Sequence, residues 1–374
     1  MLVVKTLEPT RKNLRAFIRL AYDVYRDDPY WVPPLVFDQM RTLRGINNGL
    51  FENGPHRFFM AYDGDKPVAR ALAGVDYKLV ERTGVKEGYL SLFESYDNPA
   101  YAQAVFDAAA QYLRGLGMDI MIGPNPATFD DFNKGMLVEG FDGSPVLFNA
   151  YNRPCYIALF ENYGFTKYCD HYAYQMQLAD FDVDKYSELA ERAAGRFGFT
   201  VREINLKGNI LPEMQDVATC VAEAFPKDWN LLPPTTEDIY TEFKQMKSFV
   251  NPRYAVLAYA GNRPVGFALA LPDYNQLIKK MRGRLTPAGI YHFVTGRKKI
   301  DQVRAVMQFV VPDYQNKAVN AAMIYHAYKN ALADGIRWAE ASTIDEKNAQ
   351  SNITLEKAGF TRYRVYRQYV YKLR

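Results

Sequence analysis

One pattern is written twice in this chain. Arg57-Phe58-Phe59-Met60-Ala61-Tyr62-Asp63-Gly64-Asp65-Lys66-Pro67-Val68-Ala69 returns 196 residues later as Arg253-Tyr254-Ala255-Val256-Leu257-Ala258-Tyr259-Ala260-Gly261-Asn262-Arg263-Pro264-Val265-Gly266. Each copy reads as a strand, a tight polar turn and a second strand. Each unit also closes on a matching phrase, Gly164-Phe165-Thr166-Lys167-Tyr168 and Gly359-Phe360-Thr361-Arg362-Tyr363. The separation from hairpin to closing phrase is 107 residues in the first unit and 106 in the second. That period is far longer than the roughly 20–50 residues of a solenoid repeat. It predicts two copies of one domain, which we place at 1–178 and 179–374. Length agrees, because single cores seldom grow beyond about 250–300 residues.

Periodicity gives the order of elements within each unit. The first opens with a strand at Leu2–Leu7 and a helix over Arg11–Arg26, whose Leu14, Phe17, Ile18 and Ala21 recur at helical spacing. A proline-rich break, the hairpin, a strand at Gly88–Glu94, a helix at Pro99–Leu116 and a strand at Met118–Ile122 follow. A polar stretch at Ala179–Lys185 is expected to join the units. The second unit repeats the order: strand Thr200–Ile204, helix Leu211–Phe225, proline break Pro226–Pro234, short helix Glu237–Met246 and hairpin Tyr254–Leu271. Strand Val303–Val311, helix Asn316–Ala333, strand Trp338–Thr343 and helix Asn348–Lys357 complete it. This order predicts an α/β (α+β) chain, each domain a mixed, mostly antiparallel central sheet flanked by helices. The second unit carries one extra piece, the basic segment Gln276–Ile300. Two readings of it stay open: a solvated surface insertion, or a basic lid that meets phosphate or an anionic membrane surface.

Composition excludes several classes of function. A net charge of +4 is too mild for a dedicated nucleic-acid binder, so DNA is not expected as a partner. Cys155, Cys169 and Cys220 leave one thiol unpaired in any disulfide scheme, which fits a reducing compartment. Met1–Lys5 runs into an amphipathic segment without a signal-peptide pattern, and no apolar run approaches 18 residues. The expected location is cytoplasmic. His56, His171, His292 and His326 are scattered and no metal is expected. No Ser-His-Asp set, reactive-cysteine context or Walker-type phosphate loop appears.

The element order and the quoted phrases resemble the GNAT superfamily of acyl-CoA-dependent N-acyltransferases, in two tandem copies covering nearly the whole chain. More narrowly, Asp28-Pro29-Tyr30-Trp31-Val32-Pro33-Pro34 and Gly123-Pro124-Asn125-Pro126 look like a bacterial group of tandem GNAT-like proteins. Members of similar appearance have been linked to N-acylation of sphingoid bases. The resemblance implies that a loop after the fourth strand, and the helix it leads into, hold the pyrophosphate of acetyl-CoA or a longer acyl-CoA on backbone N–H groups. That loop is Gln315-Asn316-Lys317-Ala318-Val319-Asn320, in which Ala318 replaces a glycine. A Cβ there makes a positive φ harder to adopt. Backbone N–H groups near Phe309 and Val310 would polarise the thioester carbonyl, with Lys317 assisting at the phosphates. Asn348 would flank the pantetheine arm or simply cap its helix. The tyrosine that usually acts as general acid is replaced by Leu355 in the second unit and Phe160 in the first. The first unit's loop, Ser95–Tyr101, has no glycine and carries an acid, so that copy is not expected to hold coenzyme A in the usual way.

Direct acyl transfer to an amine needs a base. Glu340, Glu346 and Ser342 are the candidates, with Glu94 in the first unit a weaker counterpart. The competing reading of Glu340 is an edge-of-strand acid paired with Arg337. Four functions stay open at this point: an acyl-CoA-dependent N-acyltransferase with a small-molecule amine acceptor; fatty-acyl transfer to a lipid amine resembling a sphingoid base; a binding protein that lost turnover; and an aminoacyl-tRNA-dependent transferase, with tRNA the less favoured partner. Peripheral membrane contact through 276–300 and a monomeric or dimeric state complete the expectations.

Overall fold

The computed structural model describes residues 1–128, 132–226, 231–247 and 249–374, apart from the side chain of Gln245. The middle of the expected proline break, 227–230, therefore lies outside the described residues. The first half runs β1 (Leu2–Leu7), α1 (Arg11–Val24), α2 (Val36–Leu43), α3 (Gly49–Glu52), β2 (His56–Asp63), β3 (Lys66–Gly74), α4 (Tyr77–Thr83), β4 (Glu87–Ser95), α5 (Pro99–Gly115), β5 (Ile120–Asn125), β6 (Met136–Glu139), α6 (Cys155–Tyr163) and β7 (Thr166–Gln177). The second runs α7 (Val183–Phe197), β8 (Thr200–Glu203), α8 (Leu211–Ala224), α9 (Thr236–Met246), β9 (Ala255–Ala260), β10 (Arg263–Pro272), α10 (Asn275–Met281), α11 (Pro287–Gly296), β11 (Gln302–Val310), α12 (Val319–Ala333), β12 (Trp338–Asp345), α13 (Ala349–Lys357) and β13 (Thr361–Lys372).

Local chemistry explains the elements that carry the argument. Helix α1 starts where the Thr10 hydroxyl accepts the Asn13 N–H, and it buries Leu14, Phe17, Ile18 and Ala21. The β2–β3 hairpin turns at Gly64, whose φ of 59° an L-residue adopts reluctantly. The expected linker Ala179–Lys185 is instead a short 3-10 turn running into α7, begun where the Asp182 carboxylate accepts the Lys185 N–H. Its few apolar residues and polar start hid that helix from a periodicity reading. The basic segment folds as α10 and α11. Among the described residues no helix is long and apolar enough to cross a membrane.

All strands join one sheet in the order β1-β2-β3-β4-β5-β13-β7-β12-β11-β10-β9-β8, with β6 also on β13. The two halves exchange their last strands. First-half β7 pairs with second-half β12, whereas second-half β13 pairs with first-half β5, and β7 and β13 pair with each other at the centre. The described sheet is antiparallel except at β4–β5 and β11–β12. Helix α12 lies over β9 and β10, and Gly266 sets the distance, because a Cβ there would stand 3.1 Å from Val319 and Met323. The start of α12 is thereby pressed against the sheet beside β11.

Candidate active site

The β11–β12 ladder runs from Gln302/Trp338 to Ala305/Ala341 and stops. Beyond it β11 stays with β10 as far as Val310/Gly266, and β12 stays with β7 as far as Asp345/His171. Two parallel neighbours that each follow an outer partner must part, so the sheet opens between them. The Val311 N–H donates to the Val265 carbonyl, and alternation along an antiparallel pair then turns the Phe309 N–H toward β10 and the Val310 N–H into the opening. Of the two expected carbonyl donors, Val310 is the one that faces the gap. Its carbonyl, on the same side, accepts Gln315 Nε2 at 3.1 Å.

The loop from β11 into α12 has the shape its sequence resists. Asn316 and Ala318 both take left-handed backbone, with φ of 59° and 55°. Helix α12 therefore begins at Val319 rather than at Asn316. No side chain caps it and no acid occupies its first turn, so the N–H groups of Val319 and Asn320 are left to an incoming anion. This fits a phosphate-bearing ligand. The counterpart helix α5 is closed, since the Asn98 side chain accepts the Ala100 N–H and Pro99 has no N–H to offer. Lys317 Nζ lies 4.5 Å from the Tyr314 ring centroid and 5.6 Å from that of Phe197, seated on aromatic faces. An alanine in left-handed backbone costs roughly 1–2 kcal/mol, partly offset by the greater unfolded-state freedom of glycine. Ala318→Gly should accordingly raise stability by about 0.5–1 kcal/mol in a urea titration.

Glu340 is fully buried, at 0 % exposure. Its pairing with Arg337 is overturned, because Arg337 forms its ion pair with Asp301. Three donors hold Glu340 instead. Asn149 Nδ2 and Ser342 Oγ each reach Oε1 at 2.5 Å, and the Tyr363 hydroxyl donates to Oε2. Tyr363 is itself partly exposed. Burial, and after it the Glu340 charge, raise its phenol well above the usual tyrosine range. Arg304 closes the base of the opening: Nε and Nη2 donate to the Ser342 carbonyl at 3.3 and 3.0 Å, and Nη1 to the Leu147 carbonyl at 2.6 Å. Asp273 completes the cluster, accepting the Leu147 N–H at 2.9 Å. Burial first, and the Glu340 charge among the lesser causes, push Asp273 up to about 7.

The other expected site residues lie elsewhere. Glu346 accepts Lys167 Nζ at 2.6 Å and the Asp170 N–H at 3.2 Å, an ion pair that ties β12 to β7. Asn348 caps α13 by accepting the Ser351 N–H at 3.1 Å. Glu94 accepts the Tyr156 hydroxyl at 2.9 Å, with Arg70 Nη2 3.6 Å from its other oxygen. Cys169, His171 and Asp345 bring potential ligand atoms within 4.8 Å of one another, although no metal was expected from the sequence. The Cys169 thiol, pushed up to about 12 chiefly by burial, donates to Asp345 at 3.3 Å, and His171 Nε2 lies 3.0 Å from Gln368 Oε1. Asn149, Asp273, Arg304 and Tyr363 were not anticipated. Only the repeat of Tyr168 as Tyr363 in the closing phrases marked one of them.

Duplicated units that share one sheet through their last strands, with an uncapped helix beside an opened parallel pair, constitute the tandem GNAT fold. Solved structures bear this out. A tandem GNAT protein from the clavulanic acid biosynthesis pathway superposes with a TM-score of 0.60 at 11 % identity, covering 100 % of this chain and 99 % of its own. A GCN5-related N-acetyltransferase from Sphaerobacter thermophilus gives 0.55 at 12 % identity, covering 100 % and 96 %. Among curated proteins, YghO of Escherichia coli is 28 % identical over 96 % of this chain and 93 % of its own length. The bacterial ceramide synthase of Caulobacter vibrioides is 25 % identical over 96 % and 95 %. No protein-family model matches the chain.

Proposed function

We propose that the chain is an acyl-CoA-dependent N-acyltransferase that transfers a long acyl chain to a lipid amine. The observation that carries the reading is a buried carboxylate, Glu340, linked to a partly exposed phenol, Tyr363, beside an opening whose far wall ends in an uncapped helix. The lipid acceptor is supported by the name of the Caulobacter relative, which aligns over nearly the full length of both chains. The donor belongs to the second half, 179–374, because α12 offers free N–H groups where α5 does not.

A CoA thioester would supply an activated acyl carbon and a thiol leaving group. The chain supplies the rest. Val310 N–H, facing the opening, is the donor for a developing oxyanion. As the amine attacks the acyl carbon, its proton passes to Tyr363 Oη while the phenolic proton moves to Glu340 Oε2; the C–S bond then breaks, and CoA would leave as a thiolate that takes its proton from solvent, to which Glu340 later returns its own. Asn149 and Ser342 hold Oε1 and keep the carboxylate aligned for that exchange. Arg304 brings a cation into the same cluster, held on the carbonyls of Ser342 and Leu147.

Two measurements bear on this. Tyr363→Phe removes the link between Glu340 and the opening in this scheme, and turnover should fall by about 10²–10⁴-fold, the range of a lost proton-transfer partner. Acyl-CoA should also raise the thermal stability of the wild type, by about 2.7 kcal/mol at a hundredfold excess over Kd. Combined Gln315→Ala and Lys317→Ala changes should abolish most of that shift. A shift that survives both changes places the donor elsewhere, and the absence of any shift in the wild type sinks the reading.

A further inference from the structure

Helices α1 and α2 and the loop before α11 line an open groove of about 490 Å³. Five arginines line it: Arg11 and Arg15 from α1, Arg41 and Arg44 from α2, and Arg284 from the loop. Among the described residues no carboxylate lies within salt-bridge distance of Arg11, Arg15, Arg44 or Arg284, and Asp38 is the acid of the same helix nearest Arg41. Five like charges, four of them without a carboxylate in salt-bridge reach among the described residues, repel one another, so the groove favours a partner that brings negative charge. Its floor is apolar, formed by Val36, Met40, Phe37 and Leu285. Phe37 is 60 % exposed and Leu285 51 %.

The walls are fixed relative to one another. The Val36 N–H donates to the Gly283 carbonyl at 3.1 Å, and the Tyr22 hydroxyl donates to the Pro34 carbonyl. Two residues past Leu285 begins α11, which shows Ile290, Tyr291 and Val294 to solvent at 48 %, 66 % and 61 % exposure. Their spacing places them on one side of the helix. Arg297, Lys298 and Lys299 follow at its end, all three exposed. Exposed cations that flank large exposed apolar side chains on a short helix supply both contributions to interfacial binding, electrostatic attraction and buried apolar area.

We infer that this face docks on an anionic lipid bilayer, with phosphate-bearing headgroups seated in the arginine groove and Ile290, Tyr291 and Val294 entering the boundary of the acyl chains. The inference is independent of the role given to Glu340. It would bring an acyltransferase against a surface where lipid amines and their products reside, but it stands or falls on binding alone.

The test is co-sedimentation of the full-length protein with vesicles of phosphatidylcholine alone and of phosphatidylcholine mixed with phosphatidylglycerol. Binding to the anionic vesicles should exceed binding to the neutral ones by about tenfold or more and weaken as salt rises. Arg11→Gln, Arg15→Gln, Arg44→Gln and Arg284→Gln together should erase that preference. These side chains are exposed, so the variant should keep the wild-type melting temperature, which is measured alongside. Ile290→Ser, Tyr291→Ser and Val294→Ser together should weaken anionic binding while leaving its salt dependence. Equal binding to both vesicle types, no binding to either, or a quadruple variant that binds as wild type would overturn the inference. So would stabilisation by adenosine 3′,5′-bisphosphate that is lost in the quadruple variant, if vesicles are not bound, since the groove would then serve a soluble phosphate.

Discussion

Glu340→Gln is expected to lower amine acylation by about 10²–10⁴-fold, the usual worth of a positioned general base, while acyl-CoA affinity changes little. The substitution preserves shape. The glutamine carbonyl can still accept from Asn149 and Ser342, and its amide can donate to the Tyr363 oxygen once that hydroxyl rotates, so each group around it keeps a partner. What is lost is the acceptor for a proton arriving through Tyr363. The loop proposed to hold the donor lies between β11 and α12 and does not include Glu340. A steady-state rate measured beside a binding isotherm therefore separates two cases. Loss of rate with retained affinity identifies the base, whereas an unchanged rate removes Glu340 from the chemistry. A wild type that binds acyl-CoA and never turns it over would be the binding protein.

The second large effect is on stability against pH. Asp273 is 5 % exposed and accepts the N–H groups of Leu147 and Asn275 at 2.9 and 3.2 Å, yet burial pushes it up to about 7 from an ordinary 3.8. For an acid whose folded pKa is raised, the folded state binds more protons between the two values, so stability falls as pH climbs through that window. The contribution is fully present below about pH 4 and is lost by about pH 7, at up to about 1.4 kcal/mol per pH unit and on the order of 4 kcal/mol in all. Asp273→Asn cannot ionise. Urea titrations from pH 4 to 8 should show the variant gaining on the wild type through the window and holding a constant lead above it. Parallel curves would mean that Asp273 is solvated and ordinary. The physical origin is burial first, with the Glu340 charge adding to it, against the N–H groups of Leu147 and Asn275 that favour the carboxylate.

Much of the fold was legible because it is local. The hairpins, α1, α5 and the strands β4 and β11 are set by alternation, caps and turns within a dozen residues. The strain expected at Ala318 was legible for the same reason and is present as a φ of 55°. What decides the site is not local. Asn149 reaches Glu340 across 191 residues, and Tyr363 reaches it only because β13 lies in the centre of the shared sheet. No periodicity in the sequence announces that exchange. Glu340 accordingly stood between two readings, a candidate base and an edge-of-strand acid paired with Arg337, and its partners across the sheet were invisible. Glu346 misled for the opposite reason, being close in sequence to the donor segment while its carboxylate is committed to Lys167 and β7. The basic segment 276–300 was read correctly as charged, but its charge came to have direction only when Arg284 joined the arginines of α1 and α2.

The central claim is acyl transfer from a CoA thioester to an amine, and mass spectrometry tests it most directly. Purified protein would be incubated with an isotopically labelled long-chain acyl-CoA and a long-chain amino alcohol, and both the labelled amide and free CoA quantified over time. One N-acyl amide should form for each CoA released, with both abolished together in Glu340→Gln. CoA that stays acylated in the presence of folded, acyl-CoA-stabilised protein and the amine, or CoA released with only free fatty acid as product, would contradict it.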